Sequence, residues 1–177
     1  MGSYNVRKPD FQFTDARGSL VQLVHEGYAQ VNVLESRSGA TRGAHFHKRA
    51  KEAFYVVKGS VDVTLISKEA DNKEAINKAD AGQETAGQKT VNEKAYSKVA
   101  DNKEAANTEA TSQKAVTEKV TFRQGTFFEI VPFVLHDMYF PEDCLMVQMY
   151  DIPVENEDGT KDIFTEAEFF TEAEFHA

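Results

Sequence analysis

Short apolar and alternating runs, broken by glycine and aspartate, fill both ends of the chain. Phe11-Gln12-Phe13-Thr14 and Leu20-Val21-Gln22-Leu23-Val24 flank the turn signal Asp15-Ala16-Arg17-Gly18. Gln30-Val31-Asn32-Val33-Leu34 alternates, Ala53-Phe54-Tyr55-Val56-Val57 is continuously apolar, and Ser60-Val61-Asp62-Val63-Thr64-Leu65-Ile66 alternates again after Lys58-Gly59. Val120-Thr121-Phe122, Thr126-Phe127-Phe128-Glu129-Ile130-Val131 and Cys144-Leu145-Met146-Val147-Gln148-Met149-Tyr150 follow. Many short strands at this spacing, with glycine turns, predict an all-β antiparallel sandwich or barrel.

Residues 67–119 break the pattern. All 13 phenylalanines of the chain lie outside this stretch, whose only aromatic is Tyr96. Ala70-Asp71-Asn72-Lys73-Glu74-Ala75 returns as Ala100-Asp101-Asn102-Lys103-Glu104-Ala105. A segment so poor in large apolar side chains cannot offset the entropy of ordering by burial. It is expected to be a low-complexity insertion, disordered or forming one or two solvated helices, at a hairpin tip where little buried backbone is disturbed. The expected organisation is therefore 1–66 and 120–163 as the two parts of one barrel, with the insertion between them. The remainder, 164–177, is an acidic tail. There Phe164-Thr165-Glu166-Ala167-Glu168-Phe169 is repeated at once as Phe170-Thr171-Glu172-Ala173-Glu174-Phe175, which predicts a short amphipathic helix laying its phenylalanines on the barrel.

Composition narrows the function. The net charge of −9 over 177 residues argues against nucleic acid as a partner. Charge is unevenly spread: residues 1–66 carry 9 basic and 6 acidic residues, and residues 120–177 carry 2 and 13. An anionic ligand is expected near the first segment. The single cysteine, Cys144, excludes an intramolecular disulfide framework and a cysteine zinc cluster, and is expected to be buried and inert. With no apolar leader and no apolar run near the roughly 20 residues of a membrane span, a cytoplasmic protein without a membrane partner is expected.

Chemistry concentrates between Gly39 and Gly59. His45 and His47, two apart on a strand, face the same side, and Glu52 follows within reach of a turn. His136 lies in the segment Phe133-Val134-Leu135-His136-Asp137. Three imidazoles and a carboxylate converging in a barrel suit one divalent ion, with Fe, Ni, Zn, Cu and Mn all compatible.

The string Gly39-x5-His45-x-His47-x4-Glu52-x6-Gly59 resembles, residue for residue, the first motif of the cupin superfamily. The second motif is matched in part: Gly125 and His136 have the right separation, Pro132 comes one residue late, Phe133 stands where the motif has glycine, and Phe140 where it has asparagine. The resemblance implies a single cupin jelly roll. More narrowly, Asp15-Ala16-Arg17-Gly18 and Arg42-Gly43-Ala44-His45-Phe46-His47-Lys48 are similar to segments of the cupins that epimerise or ketoisomerise nucleotide-linked 4-keto sugars for bacterial polysaccharides. That resemblance implies a small-molecule nucleotide sugar as partner and a homodimer. It implies His45 and His47 as acid/base residues with Tyr150, or more weakly Tyr139, as proton donor. Arg17, Arg42 and Lys48 would contact the substrate, since guanidinium forks match phosphate oxygens. Two departures stand out: those ketoisomerases usually carry glutamine at the position of Glu52 and tryptophan at that of Leu135. The intact set His45, His47, Glu52 and His136 is that of metal cupins. A metal-dependent dioxygenase or isomerase, and a non-catalytic sugar-binding module, are therefore the alternatives.

Overall fold

The structure, a computed structural model, describes residues 2–68, 88–90 and 115–171. Thirteen strands and one helix are found among them: β1 Tyr4–Arg7, β2 Phe11–Asp15, β3 Gly18–Gln22, β4 Gln30–Ser36, β5 Thr41–Phe46, β6 Glu52–Lys58, β7 Ser60–Lys68, β8 Gln88–Thr90, β9 Ala115–Arg123, β10 Phe127–Ile130, β11 Leu135–Tyr139, β12 Cys144–Tyr150, β13 Phe164–Thr165 and α1 Glu166–Thr171. One sheet has the order β1-β10-β6-β12-β4 and the other β13-β5-β11-β7-β9-β8, while β2 and β3 form a separate hairpin. Every pairing is antiparallel. This is the all-β jelly-roll barrel that the cupin resemblance implied.

The two large sheets face one another across a core of Phe54, Val56, Phe128, Ile130 and Met146 from one and Val61, Val63, Leu65, Val120, Phe122 and Met138 from the other. Phe122 and Phe128 stack with ring centroids 3.7 Å apart. Cys144 is buried in the same core. Because side chains alternate along a strand, each inward row continues past this core. On β6 the row Val56, Phe54 ends at Glu52. On β12 the row Met146 continues to Gln148 and Tyr150, and on β11 Met138 leads to His136. Apolar residues thus fill one end of the interior and polar ones the other.

The β7–β9 ladder extends from Ser60↔Arg123 out to Lys68↔Ala115. Ser67, Lys68 and Ala115–Lys119 are therefore strand residues rather than part of the insertion. Backbone pairing needs no apolar side chain when one face of an antiparallel sheet is solvated. Apart from β8, which pairs with β9, the expected insertion lies outside the described residues, as do residues 172–177. The tail helix is present as α1, and its Phe169 is fully buried against Phe46. Among the described residues no helix is long and apolar enough to cross a membrane.

Candidate active site

His45 and His136 are direct register partners on β5 and β11. Immediately beyond them the register slips, with Asp137 facing Gly43, so Ala44 is the extra residue of a bulge. Gly43 has φ 103° and Ala44 φ 55°. A Cβ on Gly43 would lie 2.7 Å from the carbonyl oxygen of His136, so only glycine lets the two strands approach this closely. The bulge aims His45 into the barrel, where its ring meets that of His136 edge-on at 4.7 Å between centroids.

His47 lies just beyond β5, and Glu52 opens β6. One ligand atom from each of His45, His47, Glu52 and His136 lies within 4.8 Å of every other. Glu52 Oε2 is 3.0 Å from His136 Nε2 and 3.4 Å from His47 Nε2. These three atoms and His45 Nε2 are buried, and apart from their contacts with one another they have no hydrogen-bond partner. Opposite them the rings are tied down. His136 Nδ1 bonds the Val134 carbonyl at 3.0 Å, His47 Nδ1 bonds the Asp162 carbonyl, and His45 bonds the Gly43 backbone. With its other nitrogen donating to a carbonyl, each imidazole turns Nε2 toward the centre.

Asp162 braces this arrangement twice. Besides its carbonyl on His47, its buried carboxylate accepts the backbone N–H groups of Lys48 and Arg49 at 3.0 Å and of Ala50 at 2.8 Å. Burial pushes its pKa up, but these three donors outweigh that and hold it below the usual carboxylate value. On the far side of Glu52, Oε1 accepts from Gln148 Nε2 at 2.6 Å and from the Tyr150 hydroxyl at 2.7 Å. Asn32 in turn donates to Gln148 Oε1 at 2.9 Å.

Burial pushes the Glu52 carboxyl up, but His136 and His47 prevail and hold it well below its ordinary range. His47 is pulled down by burial yet raised overall by the Glu52 carboxylate. His45 is lowered by burial and by neighbouring His136. Tyr150 is raised by burial and by the Glu52 charge, so it keeps its proton. The site therefore sets a neutral imidazole, His45, beside an ionised Glu52 in contact with His47 and His136, and a protonated phenol.

Of the residues expected from the sequence, His45, His47, Glu52, His136 and Tyr150 come together; the His47 and Tyr150 rings lie 5.4 Å apart. Tyr139 is exposed. Arg17, at the tip of the β2–β3 hairpin, is 86% exposed and ion-paired with Asp15. Arg42 bonds Ser36 Oγ and the Glu35 carbonyl, both at 2.9 Å, bridging the edges of the two sheets. The Lys48 ammonium lies 4.0 Å from the centre of the Phe164 ring. Asp162, Gln148 and Asn32 were not anticipated. Gln148 and Asn32 carried a weak signal, as polar residues at inward positions of alternating strands. Asp162 carried none, since its partners are more than a hundred residues away in sequence.

The family model for the polysaccharide biosynthesis C-terminal domain matches residues 13–92. No curated protein matches the chain by sequence. Among solved structures, a sugar 3,4-ketoisomerase from Thermoanaerobacterium thermosaccharolyticum, in complex with TDP, superposes with a TM-score of 0.57. It is 14% identical and covers 97% of this chain and 94% of its own. A TDP-quinovose 3,4-ketoisomerase from Campylobacter jejuni gives 0.56 at 15% identity, over 96% of this chain and 98% of its own. A dTDP-4-dehydrorhamnose 3,5-epimerase from Sulfolobus tokodaii gives 0.52 at 14%, over 89% and 80%. The chain has the cupin fold of the nucleotide-sugar ketoisomerases and epimerases.

Proposed function

We propose that the protein is an isomerase or epimerase acting on a nucleotide-linked 4-keto-6-deoxy sugar by proton transfer at the carbon beside the ketone. The observation that carries this reading is His45: an imidazole with Nε2 unpartnered and turned toward His47, Glu52 and His136, and a pKa lowered so that it is neutral at physiological pH. Such a group is suited to take a proton from the α-carbon, leaving an enolate. Protonating the enolate oxygen to give an enediol, removing the proton of the hydroxyl on the α-carbon and returning a proton to the former carbonyl carbon gives the ketoisomer. Returning the proton instead to the other face of the α-carbon gives the epimer; no atom is gained or lost. Tyr150, which keeps its proton and lies beside His47, is the proposed donor to the enolate oxygen, its hydroxyl turning from Glu52 to the substrate. Arg42, Arg17 and Lys48 belong to the segment of net positive charge and are the proposed contacts for the diphosphate. The fold shared with enzymes that act on TDP-linked sugars supports this substrate class. Incubation with TDP-4-keto-6-deoxyglucose and related keto sugars, followed by proton NMR, tests it: a rearranged sugar is expected, and unchanged substrates would count against it.

A second reading is favoured by the four unpartnered atoms. His45, His47 and His136 through Nε2, with Glu52 through Oε2, fit a divalent ion in donor type, number and spacing. A bound ion would act as a Lewis acid toward a substrate oxygen. The two readings compete for one atom, because a lone pair given to a metal is not available as a base. Elemental analysis, with thermal melting in chelator, separates them.

Two apolar surfaces support a homodimer. Phe11, Phe13 and Leu20 share a face of the β2–β3 hairpin, and Val31 and Val33 stand outward on edge strand β4; all are exposed. A twofold pairing that covers both would bury surface that a monomer leaves in water. Light scattering should give twice the mass of 19.8 kDa, and a monomer would refute the pairing.

A further inference from the structure

Glu52 can serve the histidines only if one oxygen faces them and the other is held elsewhere. Oε1 is held by Gln148 Nε2 and the Tyr150 hydroxyl, and Oε2 is left to His47 and His136. Gln148 carries an amide, whose two ends differ in kind: one donates and the other accepts. Next to a carboxylate only the NH2 end is favourable, and here it also bonds the Tyr150 hydroxyl at 3.0 Å. The amide could turn over, presenting its carbonyl to the carboxylate. Asn32 stands against this, because its own NH2 group reaches Gln148 Oε1.

We propose that Asn32 and Gln148 are positioning residues: Asn32 on β4 fixes the amide of Gln148 on β12, which fixes the Glu52 carboxylate so that Oε2 alone faces the histidines. Strand register builds this relay, for Asn32 pairs with Gln148 and Glu52 with Tyr150 across adjacent strands of one sheet. Neither Asn32 nor Gln148 needs to touch the substrate. The kinetic consequence rests on the proposed function, with the histidine cluster as the reaction centre; the orientation of Glu52 does not.

The relay makes an ordering that packing alone would reverse. Asn32→Asp is nearly isosteric but turns the donor into an acceptor, so either orientation of the Gln148 amide sets its carbonyl against a carboxylate and the hold on Glu52 Oε1 is weakened. Asn32→Ala removes more volume and the donor that fixes the amide, but sets no charge against it. In protein labelled with 15N-histidine, the ring signals of His47 and His136 should move in Asn32→Asp and move less in Asn32→Ala. Proton exchange of the keto sugar should fall about 10–100-fold in Asn32→Asp, the usual effect of losing an outer-shell partner, with KM little changed, and by less in Asn32→Ala. Gln148→Met, close in volume and without the amide, should reproduce the Asn32→Asp signature and decides the matter if that variant does not fold. Equal or larger effects in Asn32→Ala, or unmoved ring signals in both Asn32→Asp and Gln148→Met, would overturn the proposal. If the wild type catalyses no exchange, the ring signals decide alone, and the failure falls on the enzymatic reading instead.

Discussion

Gly43→Ala perturbs the bulge on which the candidate site is built. Two costs combine. At φ 103° an L-residue is strained, by about 1–2 kcal/mol for a left-handed backbone. The added methyl would also lie 2.7 Å from the His136 carbonyl oxygen and 3.2 Å from the Asp137 Cα. Both are backbone atoms held in the β5–β11 and β11–β7 ladders, and forced overpacking of this kind costs about 1–3 kcal/mol. The total, about 2–5 kcal/mol, corresponds to a loss of roughly 5–20 °C in melting temperature for a chain of this size. Gly125→Ala is the matched control: φ is 86°, but nothing lies within 4 Å of the added Cβ. It should show only the conformational cost, roughly 2–8 °C. Melting both variants by circular dichroism separates the terms. Equal losses would refute the close approach of Gly43 to the His136 backbone.

Asp162→Asn replaces one of two oxygens that together accept three backbone N–H groups, so it should cost about 1.5–3 kcal/mol at pH 7. Because the folded carboxyl is held below its ordinary value of 3.8, its stabilisation is full above that value and lost as pH falls through the folded one. Melting curves of wild type and variant should therefore converge as the pH falls below 3.8, and a gap unchanged from pH 7 would contradict the assignment. For catalysis, the lowered His45 pKa keeps the base neutral to below its ordinary value of 6.5, so the acid limb of the exchange rate should fall below pH 6.5; an acid limb above it would refute the role of His45.

Most of the barrel was legible because its strands carry period-two patterns that survive without knowledge of their partners. β11 was not recognised as a strand, because Leu135-His136-Asp137-Met138-Tyr139 mixes functional and core residues on one short stretch. The ends of β7 and β9 were missed because their pairing is a backbone property, indifferent to polar side chains. The histidines and Glu52 were legible from spacing. Phe133 shows why the second motif read only in part: with φ 62° it adopts the left-handed conformation that the motif's glycine would take, so the turn is retained although the residue signal is gone. Asp162 and the Asn32–Gln148 relay depend on which distant segments meet. No local pattern encodes that.

Deuterium uptake tests the central claim most directly. Wild-type protein in D₂O, incubated with thymidine-, uridine- and guanosine-linked 4-keto-6-deoxy sugars, should incorporate deuterium beside the ketone of at least one of them, read as a mass increase of the sugar. His45→Asn should lose about 10²–10⁴-fold in that rate while remaining folded, as expected when a general base is removed. No incorporation across the panel, or incorporation undiminished in His45→Asn, would contradict a proton-transfer reaction carried by His45.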